Sequence, residues 1–345
     1  MTAYFVRRVL LIIPTFIGIT LLVFTITRFV PGGPVERMLA QMQAMGGEGG
    51  SSGGGSSSGS DVGSNALSPD QIKELEAYYG FDKPVFISYV LWLKKVVSLD
   101  LGTSTRYSEP VWDTIKERFP VSTFYGISTL ILVYLICIPL GIIKAIKHNS
   151  IVDNLSSIFV FIGYAIPNYV VGIAVIYLFA SYFEFFPMGG FVGDEFEDLS
   201  TWEQFKDLLH HAVLPLISYV AGSFAVMTIL MKNSMMDNLA ADYVRTAMAK
   251  GLSFNRAVVR HAMRNSLIPI ATSFGNNISV LISGSFLIEF IFNIDGMGLL
   301  GYESIVERDY PIVMGILVIS SILFMVGNIL SDICVAIVDP RVQFK

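Results

Sequence analysis

Residues 242–269 read DYVRTAMAKGLSFNRAVVRHAMRNSLIP, a polar and basic stretch between two long apolar runs. Small and apolar residues recur at helical spacing in its first half. Gly251 then suits the left-handed position after a helix C-terminus, and Ser253 suits the N-cap of a second helix. The stretch therefore predicts a helix–turn–helix. Three arginines of the second helix form one cationic stripe at four-residue spacing: Arg256, Arg260 and Arg264. Because like charges at this spacing repel each other, the stripe predicts an outside partner, either anionic lipid headgroups or an acidic protein surface.

The chain around this stretch is strongly apolar. Hydrophobic residues make up 53% of the 345 residues and charged residues only 15%, and the mean hydropathy is +0.62. Soluble domains have nearer a quarter charged residues. A helix needs about 20 apolar residues to cross a bilayer. Six runs are long enough: 9–30, 122–143, 158–179, 212–231, 267–292 and 312–336. We predict an all-α polytopic membrane protein with six transmembrane helices.

The distribution of Lys and Arg predicts the orientation in the membrane. With both termini in the cytoplasm, the basic stretch lies inside and the short outer loops are acidic. The predicted divisions are a first transmembrane helix at 1–30, an external segment at 31–120, and a five-helix core at 121–345 with a cytoplasmic loop at 232–266. The external segment holds a flexible Gly/Ser-rich tract at 46–64, either a functional tether or a tolerated insertion, and a small helical subdomain at 68–120.

Polar and helix-breaking residues inside the predicted spans are candidates for a translocation path. Pro167 kinks the third span, where it either lines a path or aids packing. Asn276, Asn277 and Glu289 are polar members of the fifth span. Glu289 lies close to the outer end, where partial hydration lowers the cost of a carboxylate, so the sequence favours a structural hydrogen bond over a functional role at this residue. The same span carries a stripe of small residues that lets another helix approach closely: Gly275, Ser279 and Ser283.

A GxGxxG pattern follows the fifth span, at Gly296, Gly298 and Gly301. A dinucleotide site would require this pattern to follow a strand and open a helix within a βαβ unit. We therefore interpret the glycines as turn formers. The chain contains no GxxxxGK[ST], GxSxG or HExxH motif. The sequence thus predicts no catalytic, cofactor-binding or metal-binding site in this chain.

Six spans with a cytoplasmic helix–turn–helix before the fifth resemble the permease subunits of binding-protein-dependent ABC importers. Those carry a loop, EAA-x3-G-x9-I-x-LP, which docks into a groove of a separate ATPase subunit. Around Gly251 this chain has Arg245-Thr246-Ala247 in place of EAA, His261 in place of Ile, and Met263-Arg264 in place of Leu-Pro. This departs from the general motif but is similar to the dipeptide/oligopeptide branch, whose loop reads close to RTARAKG…RHALRNALIP.

Other blocks agree with that branch over nearly the full length: RRVLLIIPT, FVPGGP, YGFDKPVFISYVLWL, DLGTS, PLGI, GLLGYESIVERDYP and VDPRVQF. Within the branch, the chain is most similar to the Yej-type permeases. The features that carry this likeness are GYAIP, FPMGG, LIEFIF and the long insertion after the first span.

The resemblance implies a membrane-spanning subunit of an ATP-driven importer for peptides or peptide-like solutes, in the cytoplasmic (inner) membrane. It implies four kinds of partner: a homologous second permease that completes a heterodimer, two ATPase domains or subunits on the cytoplasmic side, an external solute-binding protein, and the lipid bilayer. ATP and Mg²⁺ belong to the ATPase, and no nucleic acid is involved. The residues implied for the ATPase contact are Arg245, Thr246, Ala247, Gly251, Arg256, Arg260 and His261.

Two other classes of function compete with this reading. An ion-gradient-driven secondary transporter or channel usually places carboxylates or broken helices near the bilayer midplane. Here the acids gather near the span ends, and no inverted repeat is visible between the two halves. A membrane-embedded enzyme would need a nucleophile–base or metal constellation within the spans, and the sequence has none. The secondary transporter or channel is kept as the alternative function.

Overall fold

The computed structural model describes residues 2–29 and 82–339, and within these ranges the chain is helical apart from its loops and one isolated bridge between Thr103 and Pro110. The Gly/Ser-rich tract 46–64 and the first part of the predicted external subdomain, 68–81, lie outside the described residues. In chain order the α-helices are α1 (Thr2–Phe29), α2 (Val85–Val97), α3 (Val111–Ile146), α4 (Ile151–Ala165), α5 (Asn168–Val175), α6 (Thr201–Ala240), α7 (Asp242–Ala249), α8 (Phe254–Ala257), α9 (Met263–Ser266), α10 (Ile268–Ile282), α11 (Phe286–Ile291), α12 (Met297–Val306) and α13 (Tyr310–Val338). Two π-helical segments continue α5 and α8, at Ile176–Tyr182 and Val258–Ala262.

Four of these helices are long and apolar enough to cross a membrane: Val6–Arg28 of α1, then α3, α6 and α13. They contain the first, second, fourth and sixth apolar runs of the sequence. Hydropathy located them because apolar length is a local property of the chain. The described residues therefore confirm an all-α polytopic architecture with four spans, or up to five if a bent pair counts as one.

The third and fifth apolar runs are not single helices. The third run is divided at Pro167, and the helices before and after the break differ in direction by 98°. Pro167 has no N–H to continue the ladder, and Ile166 before it is extended (φ −93°, ψ 122°). The predicted kink is thus a complete break. The fifth run is divided between α10 and α11, where Gly284 adopts a φ of +81°.

The chain forms two compact units. The first comprises the described residues within Met1–Ile13, Lys116–Tyr302 and Ile319–Lys345. One of its cores joins α6 and the basic stretch through Met231, Met235 and Val258. A second core mixes aliphatic and aromatic residues and holds Tyr125 stacked on Tyr219, with ring centroids 5.8 Å apart.

The second unit comprises the described residues within Pro14–Ile115 and Glu303–Val318. Here the Tyr89 hydroxyl lies 2.8 Å from the Thr20 hydroxyl, and Trp92 packs against Phe24 with ring centroids 5.6 Å apart. The amphipathic helix α2 therefore packs along α1.

Candidate functional site

The basic stretch begins at the end of α6 without a long linker. Lys232–Ala240, which the sequence analysis placed in the cytoplasmic loop, form the last turns of α6, and only Ala241 separates α6 from α7. We call residues 242–266 the coupling segment, after the resemblance that predicted its role. Because α6 is continuous up to Ala240, the coupling segment is joined directly to the end of a helix long enough to span the membrane.

Gly251 ends α7 in the conformation that the sequence predicted. Its φ is +93°, its N–H donates to the carbonyl of Met248 at 2.9 Å, and the N–H of Leu252 donates to the carbonyl of Ala247 at 3.2 Å. This pair of bonds defines a Schellman motif, which satisfies carbonyls at the helix end. A Cβ on Gly251 would have no atom within 4 Å. The backbone conformation, and not crowding, is therefore what requires glycine here.

The second half of the coupling segment contains a π-helical turn between two short α-helices. Ser253 occupies the N-cap position with an extended backbone (φ −63°, ψ 150°), although its side chain makes no capping bond. The π-helical segment follows α8 at Val258–Ala262. π-helical turns are rare and frequently occur at functional sites. This turn buries Val258 and Ala262 and leaves Val259 and Arg260 exposed.

One side of the coupling segment is built into the first unit. Val244 is 1% exposed and Ala257 is fully buried, and both belong to the core that contains Met231 and Met235 of α6. The Ser266 hydroxyl, at the end of α9, donates to the carbonyl of Ala262 at 2.8 Å and lies 3.2 Å from the carbonyl oxygen of Ser234 in α6. The segment is consequently packed on α6 and is not a free loop.

The opposite side of the coupling segment is cationic and apolar at once. Its exposed large apolar side chains are Tyr243, Met248, Phe254 and Val259. Among the seven residues predicted for the ATPase contact, Arg245, Thr246, Gly251, Arg256 and Arg260 are exposed, while Ala247 and His261 are half-buried. Exposed aromatic, methionine and arginine side chains together are the composition of a protein–protein interface.

The arginine stripe does not act as one group. Arg264 Nε donates to the carbonyl of Val338, the last residue of α13, at 2.7 Å. A cation at a helix C-terminus satisfies an orphan carbonyl and interacts favourably with the helix dipole. Arg256 and Arg260 are exposed on the coupling segment. The stripe therefore divides into Arg264, which is exposed but bonded within the chain, and Arg256 and Arg260, which are exposed.

The four candidates for a translocation path have different environments. Pro167 and Asn276 are exposed on the chain, while Asn277 is half-buried and its amide donates to the Tyr134 hydroxyl at 3.5 Å. Glu289 is 1% exposed. The expectation of partial hydration at Glu289 is wrong, because α11 turns its carboxylate inward. The structure does not bring the four residues together at one site.

Glu289 is held by donors on several elements. Its Oε1 accepts hydrogen bonds from the Ser122 hydroxyl of α3 at 3.2 Å, the Ser285 N–H at 3.3 Å and the Tyr219 hydroxyl of α6 at 3.4 Å. Its Oε2 accepts from the Leu299 N–H of α12 at 2.7 Å. A buried carboxylate must be paired or hydrogen-bonded to be tolerated. Glu289 therefore joins α3, α6 and α12 around α11.

Glycines make room for this carboxylate. A Cβ on Gly296 would lie 2.6 Å from Cδ of Glu289, and a Cβ on Gly284 would overlap its Oε1. A Cβ on Gly298 would lie 2.7 Å from the backbone nitrogen of Phe286. Interpreting the whole GxGxxG pattern as turn formers is wrong, because Gly298 and Gly301 lie inside α12. The pattern reflects close packing around Glu289.

A buried charged cluster was missed by the sequence analysis. Lys144 of α3, Asp153 of α4 and Lys232 of α6 meet with their charged groups within 3.0 Å. The only sequence signal was a lysine and an aspartate on either side of a short connection between two apolar helices. The third member is 79 residues from Asp153 along the chain, a separation that no local pattern reveals.

Comparisons with known proteins agree with this geometry. The family described as "Binding-protein-dependent transport system inner membrane component" matches residues 137–344. The Peptidoglycan transport system permease protein YejB of Agrobacterium fabrum is 42% identical over an alignment of 360 residues, which covers 100% of this chain and 99% of the relative. The Inner membrane ABC transporter permease protein YejB of Escherichia coli O157:H7 is 40% identical, with both chains fully covered.

More distant similarities point the same way. The Oligopeptide transport system permease protein AppB of Bacillus subtilis is 35% identical, again with both chains fully covered. Among solved structures, a chain of the MetNI methionine ABC transporter, in inward-facing conformations, is similar with a TM-score of 0.51 and 14% identity. That alignment covers 67% of this chain and 99% of the other. At this identity the likeness concerns the fold alone.

Proposed function

Because the chain belongs to the family of binding-protein-dependent transport system inner membrane components, we propose that it is the permease subunit of an ATP-driven importer for peptides or peptide-like solutes. Two of the relatives, at 42% and 35% identity, are named for peptidoglycan and oligopeptide transport, respectively. Their similarity extends over the whole chain. Within the family, ATP hydrolysis belongs to separate subunits, so this chain supplies the membrane path and the contact with the ATPase.

The observation that carries the proposal is the two-sided coupling segment. Its buried side, through Val244 and Ala257, is packed on α6. Its other side exposes arginines next to apolar side chains such as Phe254 and Val259. The exposed side suits docking to a cytoplasmic ATPase, where ATP and Mg²⁺ bind, and the buried side passes the movement of the ATPase to the membrane helices.

The proposed assembly has two permeases, two ATPase subunits or domains, and an external solute-binding protein. The second permease is a homologue, which makes the pair a heterodimer. The two termini lie in the cytoplasm with the coupling segment. Two contacts support placing the start of α1 and the end of α13 on the same side as the coupling segment: Arg264 of the coupling segment binds the carbonyl of Val338 at the end of α13, and Arg8 near the start of α1 pairs with Asp332 of α13.

The function is tested in the complete complex by purification and by uptake into vesicles. A cytoplasmic ATPase should co-purify with the tagged chain in detergent, and uptake should require ATP when the ion gradients are collapsed. Uptake that follows an imposed ion gradient without ATP would establish the secondary transporter instead. A panel of labelled peptides, compared between cells with and without the gene, tests the class of solute.

The coupling assignment is tested at Gly251. A β-branched residue is strongly disfavoured at positive φ, whereas Asn tolerates this region. Gly251→Val should therefore lower ATPase association and uptake while solute capture by the binding protein is retained, and Gly251→Asn should keep most of both. If Gly251→Val leaves association and uptake intact, the coupling assignment is wrong.

A further inference from the structure

Three charged side chains meet where α6 passes the connection between α3 and α4. We call these two helices and their connection the α3–α4 hairpin. Asp153 lies in the first turn of α4 and is 2% exposed. Lys144 Nζ of α3 lies 3.0 Å from Asp153 Oδ1. Lys232 Nζ of α6 lies 2.8 Å from Oδ1 and 2.9 Å from Oδ2. One aspartate therefore binds two lysines from two different helices.

The hairpin does not need Lys232 to neutralise or satisfy its buried groups. Lys144 Nζ also donates to the Asp153 carbonyl and to the hydroxyls of Ser156 and Ser157, at 2.8–2.9 Å. The backbone N–H of Asn149 donates to Asp153 Oδ2 at 3.2 Å. Lys144 and Asp153 thus form an ion pair within the hairpin, and His148 Nδ1 in the connection lies 3.2 Å from Asp153 Oδ2.

Lys232 adds a surplus charge to this pair. Two lysines against one aspartate leave one positive charge in a site where the Lys232 side chain is 16% exposed. Removing a charge from water is unfavourable unless attraction and hydrogen bonds offset it. The two bonds to Asp153 offset this cost for Lys232, although the hairpin already pairs Asp153 with Lys144. What Lys232 does provide is a direct polar connection between α6 and α4.

The position of Lys232 on α6 relates it to the coupling segment. It precedes the end of α6 at Ala240 by eight residues, about 12 Å along the helix. Met231 and Met235, which flank it on α6, belong to the same core as the buried side of the coupling segment. Nearer the start of α6, the Tyr219 hydroxyl is bonded to Glu289. α6 is consequently bonded to a buried carboxylate at two positions, to Glu289 through Tyr219 and to Asp153 through Lys232. The contact with Asp153 is the one nearer the coupling segment.

We propose that Lys232 is a positioning residue that transmits movement of the coupling segment to the α3–α4 hairpin through its ion pair with Asp153. The proposal rests on the proposed function, since it presumes that an ATPase moves the coupling segment. When α6 is displaced, the ion pair moves the start of α4 with it. Without the ion pair, α6 moves while the hairpin lags, and ATP is hydrolysed without a matching passage of solute.

The test compares three variants in proteoliposomes that contain the complete complex. Lys232→Met removes the charge and keeps an unbranched side chain, while the Lys144–Asp153 pair stays intact. Lys147→Met is the matched control, because Lys147 is an exposed lysine of the turn that follows α3. Lys232→Arg keeps a cation with several donors. The measured quantity is the number of solute molecules imported per ATP hydrolysed.

Lys232→Met should lower this ratio at least about fivefold, the low end of ordinary coupling between sites. Lys147→Met should leave the ratio unchanged, and Lys232→Arg should restore most of it. ATPase association should be normal in all three. A merely structural role would lower the amount of complex and would leave the ratio of the surviving complex intact.

If Lys232→Met does not accumulate, Lys232→Gln takes its place, since it keeps one N–H donor beside Asp153. A normal ratio in whichever of these two variants assembles would overturn the proposal. Failure of the proposed function would be seen differently, as wild-type protein that purifies without an ATPase or transports without ATP. The two outcomes are therefore separable in the same set of preparations.

Discussion

Gly275 of α10 and Gly327 of α13 face each other where the two helices cross, and a Cβ on Gly275 would overlap the carbonyl oxygen of Gly327. Beside this crossing, the Ser279 hydroxyl donates to the carbonyl of Leu323 at 3.0 Å. One helical turn farther away, the Ser283 hydroxyl lies 3.4 Å from that of Ser320. The small-residue stripe predicted from the sequence therefore faces α13. Small residues let membrane helices approach at this distance and bond through their hydroxyls.

We predict that Gly275→Val separates α10 from α13 and destabilises the protein. Overpacking in a close-packed interior costs about 1–3 kcal/mol even when the surroundings can relax, and here the obstacle is backbone. Thermal melting in detergent should show a lower midpoint. Gly163→Val is the control, because a Cβ on Gly163 of α4 would meet no atom within 4 Å. Equal melting temperatures for the two variants would contradict the close crossing.

We predict that Glu289→Gln weakens the fold although the change in size is small. The backbone N–H groups of Ser285 and Leu299 both donate to the carboxylate. An amide offers only one oxygen, so one of these buried donors would face an NH₂ group. An unsatisfied buried donor costs about 1–3 kcal/mol. Glu197→Gln, at an exposed position of the loop before α6, should leave the melting midpoint unchanged. The role assigned to Glu289 is refuted if both variants melt alike.

In the second unit, we predict that Asp309 contributes more to the stability of the fold than the ion pairs next to it. Asp309 is fully buried, and its Oδ2 accepts from the Ser104 hydroxyl at 2.5 Å and from the Arg106 N–H at 3.0 Å. Its Oδ1 accepts from the Ile312 N–H at 3.4 Å, which caps α13. Asp309→Ala should cost about 1–2 kcal/mol through the lost cap alone, and more through the unpaired Ser104 and Arg106 groups.

Arg106→Gln is the contrasting variant. The guanidinium lies 2.6 Å from Glu303 and 3.1 Å from Glu307, but these three side chains remain about a third exposed. Burial of the guanidinium opposes its charge, yet the hydrogen bond to Glu303 and the nearby carboxylates outweigh it, so the pKa of Arg106 lies above its ordinary value. Exposed pairs contribute at most about 1 kcal/mol. In denaturation experiments, Asp309→Ala should have a clearly lower free energy of unfolding than Arg106→Gln. The reverse order would contradict this assignment.

The sequence predicted those features that depend on neighbouring residues. Apolar length located four spanning helices, and the family resemblance, including its Yej-type subdivision, is confirmed by the relatives. The left-handed turn at Gly251 followed from a glycine after a helical pattern. The break at Pro167 was underestimated, because a proline predicts a disturbed helix but not the angle between its two halves.

The contacts of buried charges were not predictable in the same way. Glu289 was placed near a hydrated span end because its run was interpreted as one straight helix, whereas Gly284 interrupts that run and turns the carboxylate inward. Asp153 and Lys232 are brought together by the packing of α4 against α6. Such partners are set by tertiary structure. The functional roles of the coupling segment and of the path candidates remain predictions.

The last prediction concerns the arginines of the coupling segment. Arg256, Arg260 and Arg264 are all exposed, and Arg264 is in addition bonded to the carbonyl of Val338. If an acidic ATPase surface binds the segment, Arg256→Gln and Arg260→Gln should each weaken association by up to about fivefold, as expected for exposed charge pairs. The loss should shrink as salt is raised, because exposed charges are screened. Arg264→Gln should leave the affinity and its salt dependence unchanged.

The measurement is the affinity of the purified permease pair for its ATPase in detergent, repeated at low and high salt and then with anionic lipid added. Lipid headgroups as the true partner would give a different result. In that case the arginine variants would bind anionic vesicles less well and would bind the ATPase as the wild type does. An effect of Arg264→Gln equal to that of Arg260→Gln would show that the bond to Val338 does not set Arg264 apart. The three arginines would then act as the single stripe that their spacing suggested.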